Sequence, residues 1–389
     1  MRLGREKTGS SAGHKPKKPD KLMRGQKKPG PSQSEAVDLP AMAEQAPFFV
    51  DSRIELPKDA ESPLDAMLKM AQNAPSPVPR LLGVAQTLFL AESSAVMQNA
   101  LLDQYQDGDS IFWAVVGTLP PRRCGRLTES EHIELFATAR GRSGLCAIIT
   151  GLEYYAKPPY GETEPCSSRD EQQAAFKVAC RTAVSLNVPL VVIIRPEARE
   201  EEACSEAVHD AIINMEEAEV PASWKIHFAS WTGPSSLALK LLKKYPDSML
   251  GFNGALSFRS ANHLRELCFD VPLDRLLLES DAPNNSPAET AFPHSSWTVL
   301  MLAEIVAAQK RITSASVIQA TVENAGKMYN KRVVRRPAPE GFEIVADQTG
   351  AGAAITGGSN ASQNLQKKAA SRPAGDTGEE DLKELSKFL

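Results

Sequence analysis

Two acids and an arginine, Asp51, Arg53 and Glu55, stand together at the end of an apolar run that begins at Phe48. Further along come Glu153 with Tyr154, then Arg195, His227, and Glu279 with Asp281, each close to the end of an apolar run of its own. Carboxylates and an imidazole gathered at one opening are donors that a divalent cation accepts. Arg53 and Arg195 facing the same opening would form a small phosphate-binding pocket, able to hold a ligand without cleaving it. Plainer roles exist for the same groups. A histidine near the end of an apolar strand, as His227 is, is commonly a hydrogen-bonded core residue. Asp281 among apolar neighbours needs a partner, because an unpaired buried carboxylate is costly, and Arg53 is the natural candidate.

The elements that must position these groups follow from hydropathy. Strand-like runs occur at Phe48–Leu56, Leu81–Phe89, Ile111–Pro120, Leu145–Tyr155, Val188–Arg195, Lys225–Ser230, Leu250–Leu256 and Leu276–Asp281. Amphipathic helical segments alternate with them, for example Thr128–Arg140, Arg169–Leu186, Ser235–Tyr245 and Ala261–Cys268, with Pro or Gly in the connections. Runs such as Pro189-Leu190-Val191-Val192-Ile193-Ile194 are continuously apolar, as expected of a parallel sheet covered by helices on its outer face. Eight such units predict an α/β fold, a (β/α)8 TIM barrel, closed by a further helix at Thr313–Tyr329. An open doubly wound sheet is the alternative, but no GxGxxG follows the first strand. In a barrel the polar strand ends collect at one mouth, where active sites of such folds form.

The motifs in order resemble those of the TatD-related metal-dependent deoxyribonucleases, part of the metal-dependent hydrolase barrels. Val50-Asp51-Ser52-Arg53-Ile54-Glu55-Leu56 is similar to V-D-S-H-x-H-L, Gly117-Thr118-Leu119-Pro120 to G-x-H-P, and Ile149-Thr150-Gly151-Leu152-Glu153-Tyr154 to E-I-G-L-D-Y. Gln172 to Phe176 matches Q-x-x-x-F, Pro189 to Arg195 resembles P-V-x-I-H-x-R, and Ile226-His227-Phe228 resembles I-H-C-F. Pro272-Leu273-Asp274-Arg275-Leu276-Leu277-Leu278-Glu279-Ser280-Asp281-Ala282-Pro283 is close to I-P-L-D-R-L-L-L-E-T-D-A-P and is the most specific match. Thr321-Val322-Glu323-Asn324-Ala325 resembles the terminal T-x-x-N-A.

The resemblance implies a two-metal site, and its six ligand positions fall on Arg53, Glu55, Ile149, Ile193, His227 and Asp281. Only His227 and Asp281 keep the family identity. Ile149 and Ile193 offer a cation nothing, Arg53 brings a permanent positive charge, and Leu119 replaces the G-x-H-P histidine. Two-metal hydrolysis needs both ions close together, which two or three surviving ligands do not hold. The expectation is therefore a pseudoenzyme, a TatD-like barrel acting as a binding or scaffold protein with no cofactor. The alternative is a deoxyribonuclease or phosphodiester hydrolase working with one divalent metal on Glu55, His227 and Asp281, with Asp281 as its catalytic carboxylate.

Charge divides the chain. The net charge is −4, yet the first thirty residues hold ten Lys and Arg against Glu6 and Asp20, a local +8 that leaves −12 for the rest. Residues 1–46 read as a disordered basic tail, too poor in apolar residues to fold. Its runs His14–Lys21 and Arg24–Lys28 have the form of a split nuclear-import signal or of a simple solvating tail, and nucleic acid is a candidate partner for this arm. The barrel is expected over 47–332, and 333–389 reads as a low-complexity tail. In its last residues, Glu379–Leu389, Leu382, Leu385, Phe388 and Leu389 lie close to helical spacing, with acids first and Lys387 near the end: a frayed solvated helix or a short helix that docks on a protein partner. No apolar stretch reaches membrane-span length, and six scattered cysteines without a CxxC pair suit a reducing compartment, cytoplasmic or nuclear.

Overall fold

In a computed structural model of the chain, the described residues are 46, 48–55, 80–103, 112–154, 166–197, 200–288 and 294–331. They all fall within one unit, Asp38–Leu389; the other unit, Met1–Val37, lies wholly outside them. The tails at 1–45 and 332–389, and with them the expectations of disorder, a nuclear signal and a terminal helix, also lie outside the described residues.

Eight strands form one parallel sheet in chain order: β1 (Phe48–Glu55), β2 (Arg80–Phe89), β3 (Phe112–Gly117), β4 (Leu145–Glu153), β5 (Leu190–Arg195), β6 (Ile226–Ala229), β7 (Met249–Phe252) and β8 (Leu276–Leu278). The turn after β8 closes the sheet onto β1: Asp281 N–H donates to Arg53 O at 3.0 Å, and Glu55 N–H donates to Ala282 O at 2.8 Å. The result is a nearly closed eight-stranded TIM-type barrel. Helices follow the strands: α1 (Ala95–Leu102), α2 (Glu129–Ala139), α3 (Arg169–Leu186), α4 (Glu201–Glu217), α5 (Ser235–Lys244), α6 (Asn262–Asp270), α7 (Thr298–Lys310) and α8 (Ser314–Met328). Among the described residues no helix is long and apolar enough to cross a membrane.

Local sequence explains the boundaries. Thr128 and Glu131 form a capping box at the start of α2, and Ser168 and Glu171 form another at the start of α3, satisfying backbone N–H groups that have no partner within the helix. Asn187 ends α3 in the left-handed conformation, φ 54°, which Asn tolerates better than most residues. The barrel centre is filled by Val50, Ala85, Trp113, Val115, Ala147, Ile149, Val191, Ile193 and Leu277. Tyr329, just past α8, packs its ring against Trp113 at 5.8 Å and plugs the amino-terminal end.

Several runs end sooner than hydropathy suggests, among them β3 at Gly117, β7 and β8. β7 stops at Phe252 because the Asn253 side chain accepts from Ala255 N–H at 3.0 Å and starts a 3-10 turn at Gly254–Ser257. β8 stops at Leu278, before Asp281, whose φ of 55° is incompatible with an extended strand.

Candidate functional site

At the carboxyl-terminal mouth the Arg53 guanidinium, only 3% exposed, lies at the centre. Its Nη1 donates to Asp281 Oδ1 and, at 3.1 Å, to Ser230 Oγ, while Nη2 donates to Glu55 Oε1 at 2.6 Å. Asp281 Oδ2 accepts from Asn253 Nδ2 at 3.0 Å and from Asn285 Nδ2. Glu55 Oε2 accepts from Asn284 Nδ2 at 2.6 Å. Ser230 and Asp281 both stand in the left-handed region, φ 51° and 55°. That conformation costs a non-glycine residue about 1 kcal/mol or more, and here it aims both side chains at the same guanidinium.

Directly beneath lies a second layer. The Ser230 hydroxyl donates to Glu279 Oε2 at 2.7 Å, and the Ser230 N–H donates to the same oxygen at 3.0 Å. Glu279 Oε1 meets His227 Nε2 at 2.5 Å, both side chains fully buried. The Tyr329 hydroxyl gives its proton to Ser52 O at 2.8 Å, so at 2.7 Å His227 Nδ1 must be the donor to that hydroxyl. Gly251 makes room for this layer, since a Cβ there would overlap both Glu279 Oε1 and His227 Nε2.

The electrostatics follow from burial and pairing. Burial opposes the charge on Arg53, but Asp281, Glu55 and Glu279 together outweigh it and hold its pKa above that of an ordinary arginine. Burial likewise works against the Glu279 carboxylate, yet His227, Arg53 and Ser230 hold its pKa below the usual range. Burial pushes Glu55 up despite Arg53, with Asp281 and Glu153 adding repulsion. Asp51 faces away from this cluster. Its carboxylate accepts from Ser280 N–H and Oγ, Ser296 Oγ and Arg53 N–H, tying β1 to the turn after β8, and burial lifts its pKa to about 7 against those four donors.

Of the residues singled out in sequence, Arg53, Glu55 and Asp281 converge. His227 is one layer below, with both ring nitrogens engaged by Glu279 and Tyr329. Arg195 lies on the far side of Ser230, its Nε 3.9 Å from Glu153 and its Nη1 3.5 Å from Ser230 O. Ile149 and Ile193 are buried in the apolar centre. Sequence reasoning did not assign Ser230, Asn253, Asn284, Asn285 or Tyr329. Ser230 is the last residue of the strand-like run Lys225–Ser230, a position that carries function in such barrels; the asparagines and Tyr329 gave no comparable signal.

A profile of the family described as TatD related DNase matches residues 76–330, about two thirds of the chain. This chain belongs to that family. Among the proteins to which this TatD-related chain is similar, the human "3'-5' RNA nuclease TATDN2" is 27% identical over 227 residues, 57% of this chain and 27% of that protein. The "uncharacterized metal-dependent hydrolase YabD" of Bacillus subtilis (strain 168) is 26% identical over 164 residues, 42% of this chain and 59% of that one. The chain thus spans between about a quarter and three fifths of the length of these curated relatives. The fold matches the crystal structure of YJJV, a TatD homologue from Escherichia coli K12, with a TM-score of 0.56 and 18% identity over 73% of this chain and 98% of that chain.

The metal ions that the family implies do not fit these residues. Among the described residues no group of three or more His, Cys, Asp and Glu is arranged to hold a metal ion. Arg53 occupies the carboxylates that would receive a cation, and Glu279 and Tyr329 occupy the imidazole. The protein is a TatD-like hydrolase barrel without an intact metal-binding cluster among its described residues.

Proposed function

We propose that this chain is a pseudoenzyme, a TatD-like barrel that has given up metal-dependent phosphodiester hydrolysis and works as a binding or scaffold protein. The observation that carries this reading is the Arg53 guanidinium held by Asp281, Glu55 and Ser230. A covalently attached cation neutralises the carboxylates and leaves no place where a metal-activated water could form. Arg53 and Arg195 are the candidate binding residues of the mouth, and Glu55, His227 and Asp281 are the remnant of a metal set. The partners in this reading are a protein held through the tails and nucleic acid on the basic arm, in the cytoplasm or nucleus.

The test is metal analysis of the purified full-length chain after equilibration with Zn²⁺, Mg²⁺ or Mn²⁺, with nuclease assays on DNA and RNA beside it. The expected result is no stoichiometric metal and no turnover above that of Asp281→Ala. Stoichiometric metal together with turnover abolished by Asp281→Ala would establish instead a hydrolase with a reduced, single-metal site.

A further inference from the structure

We propose that the groove between α2 and α3, on the outside of the barrel, is the docking site for this chain's own carboxyl-terminal segment, Glu379–Leu389. The groove has a volume of about 260 Å³ and is lined by Ile133, Phe136, Arg140, Val178, Arg181 and Leu186 among others. That is below the range of most small-molecule sites and suits a few side chains of a peptide. Ile133 is 53% exposed at its centre, one turn before Phe136, which lines the same groove and is buried.

Three features select the occupant. The first is pattern: Leu382, Leu385 and Phe388 recur at intervals that give one apolar helical face, the form that inserts into a groove between helices. The second is charge. Arg140 and Arg181 stand where α2 ends and α3 nears its end, while Glu129 stands at the start of α2. The segment begins with Glu379, Glu380 and Asp381 and carries Lys387 near its end. Laid antiparallel to α2, it sets acids on the arginines and Lys387 toward Glu129.

The third feature is where the described chain leaves the barrel. Lys331 lies beside Cys146, the second residue of β4, and β4 is the strand between α2 and α3 in the chain. The exit is therefore at the arginine end of the groove, where the acidic end of the segment must arrive. The 47 residues from Arg332 to Gly378 are enough to span that gap, since a random coil of that length has an end-to-end distance of roughly 35–40 Å. Such a tether gives an effective concentration on the order of millimolar, so a weak contact suffices.

The experiment is hydrogen exchange on the full-length chain at two protein concentrations, read at residues 129–140 and 174–187. The double variant Leu385→Asp/Phe388→Asp, and separately Ile133→Asp, are expected to speed exchange there about five-fold while leaving β4 and β5 unchanged. Arg181→Glu is expected to do the same, and reversal of Glu380 and Asp381 to Arg in that background to restore protection. A labelled peptide spanning 378–389 should bind the Leu385→Asp/Phe388→Asp chain and not the same chain carrying Ile133→Asp. Equal exchange in the parent and the tail variant would overturn the proposal, as would protection that fades on dilution, which would assign the groove to a second copy.

Discussion

The two sides of the barrel mouth depart from a metal-binding arrangement in different ways. On the β1–β8 side the charges remain, and Arg53 binds the carboxylates Glu55 and Asp281 that the resemblance places among metal ligands. On the β4–β5 side the resemblance places ligand positions on Ile149 and Ile193, buried at 2% and 5% exposure and continuous with the apolar centre. An isoleucine removes a ligand together with the need for one, because it requires no partner. An arginine removes the need for a metal while keeping the acids, and thereby makes them depend on one side chain. The first route leaves ordinary packing; the second leaves a buried ionic network in which each member compensates another.

Arg53→Ala is the sharpest way to break that comparison. Removing the guanidinium strands two acids at the mouth, and the expected loss is about 3–5 kcal/mol in urea unfolding, partly recovered by adding Asp281→Asn. On the other side Ile193→Ala should cost about 2–4 kcal/mol through its cavity, with no recovery from any second change at the charged site. Equal rescue of both variants by Asp281→Asn would mean that the two sides form one network. Tyr329→Phe removes the hydroxyl that joins His227 Nδ1 to Ser52 O, and a loss of about 1–3 kcal/mol is expected.

Asp51 sharpens the comparison through pH. Its folded pKa of about 7 lies above the ordinary 3.8, so between those values the folded chain holds a proton that the unfolded chain has released. Its contribution is fully present below pH 3.8 and is lost as pH rises through 7, at a slope of up to about 1.4 kcal/mol per pH unit. Asp51→Asn should flatten that fall, seen as denaturation midpoints at pH 4.5 and 7.5 that lie closer together than in the parent. The smallest effect is expected on the surface: Arg169→Ala breaks exposed pairs with Glu197 and Glu206 and should shift stability by less than about 1 kcal/mol.

Much of the barrel was legible because its signals are local. Pro189–Ile194 reads as a buried strand from its unbroken apolar run, and the amphipathic segments Thr128–Arg140 and Arg169–Leu186 fall on α2 and α3. The candidate site was legible only where a residue fell on a family motif, as Arg53 and Asp281 did. Ser230 and Tyr329 belong to it through contacts 177 and 102 residues away in sequence, and no local pattern encodes such distances. Asn253 falls inside the apolar run Leu250–Leu256, and Asn284 and Asn285 follow the last run; that each places an amide on an acid of the mouth follows from the turn geometry, which hydropathy does not contain.

The seam between β1 and the turn after β8 also sets an order of events during synthesis. Arg53 and Asp281 are 228 residues apart, and the backbone bonds from Asp281 to Arg53 and from Glu55 to Ala282 join the same two places. While the ribosome is still extending the chain, β1 can pair with β2 but has nothing on its other edge. That edge stays open, with Arg53 and Glu55 beside it in water, until the residues around Ala282 have emerged. Contacts this distant close late and slow the folding of the whole. The nascent barrel consequently passes through a long interval with one unprotected strand edge, the kind of surface on which other chains add and which chaperones hold.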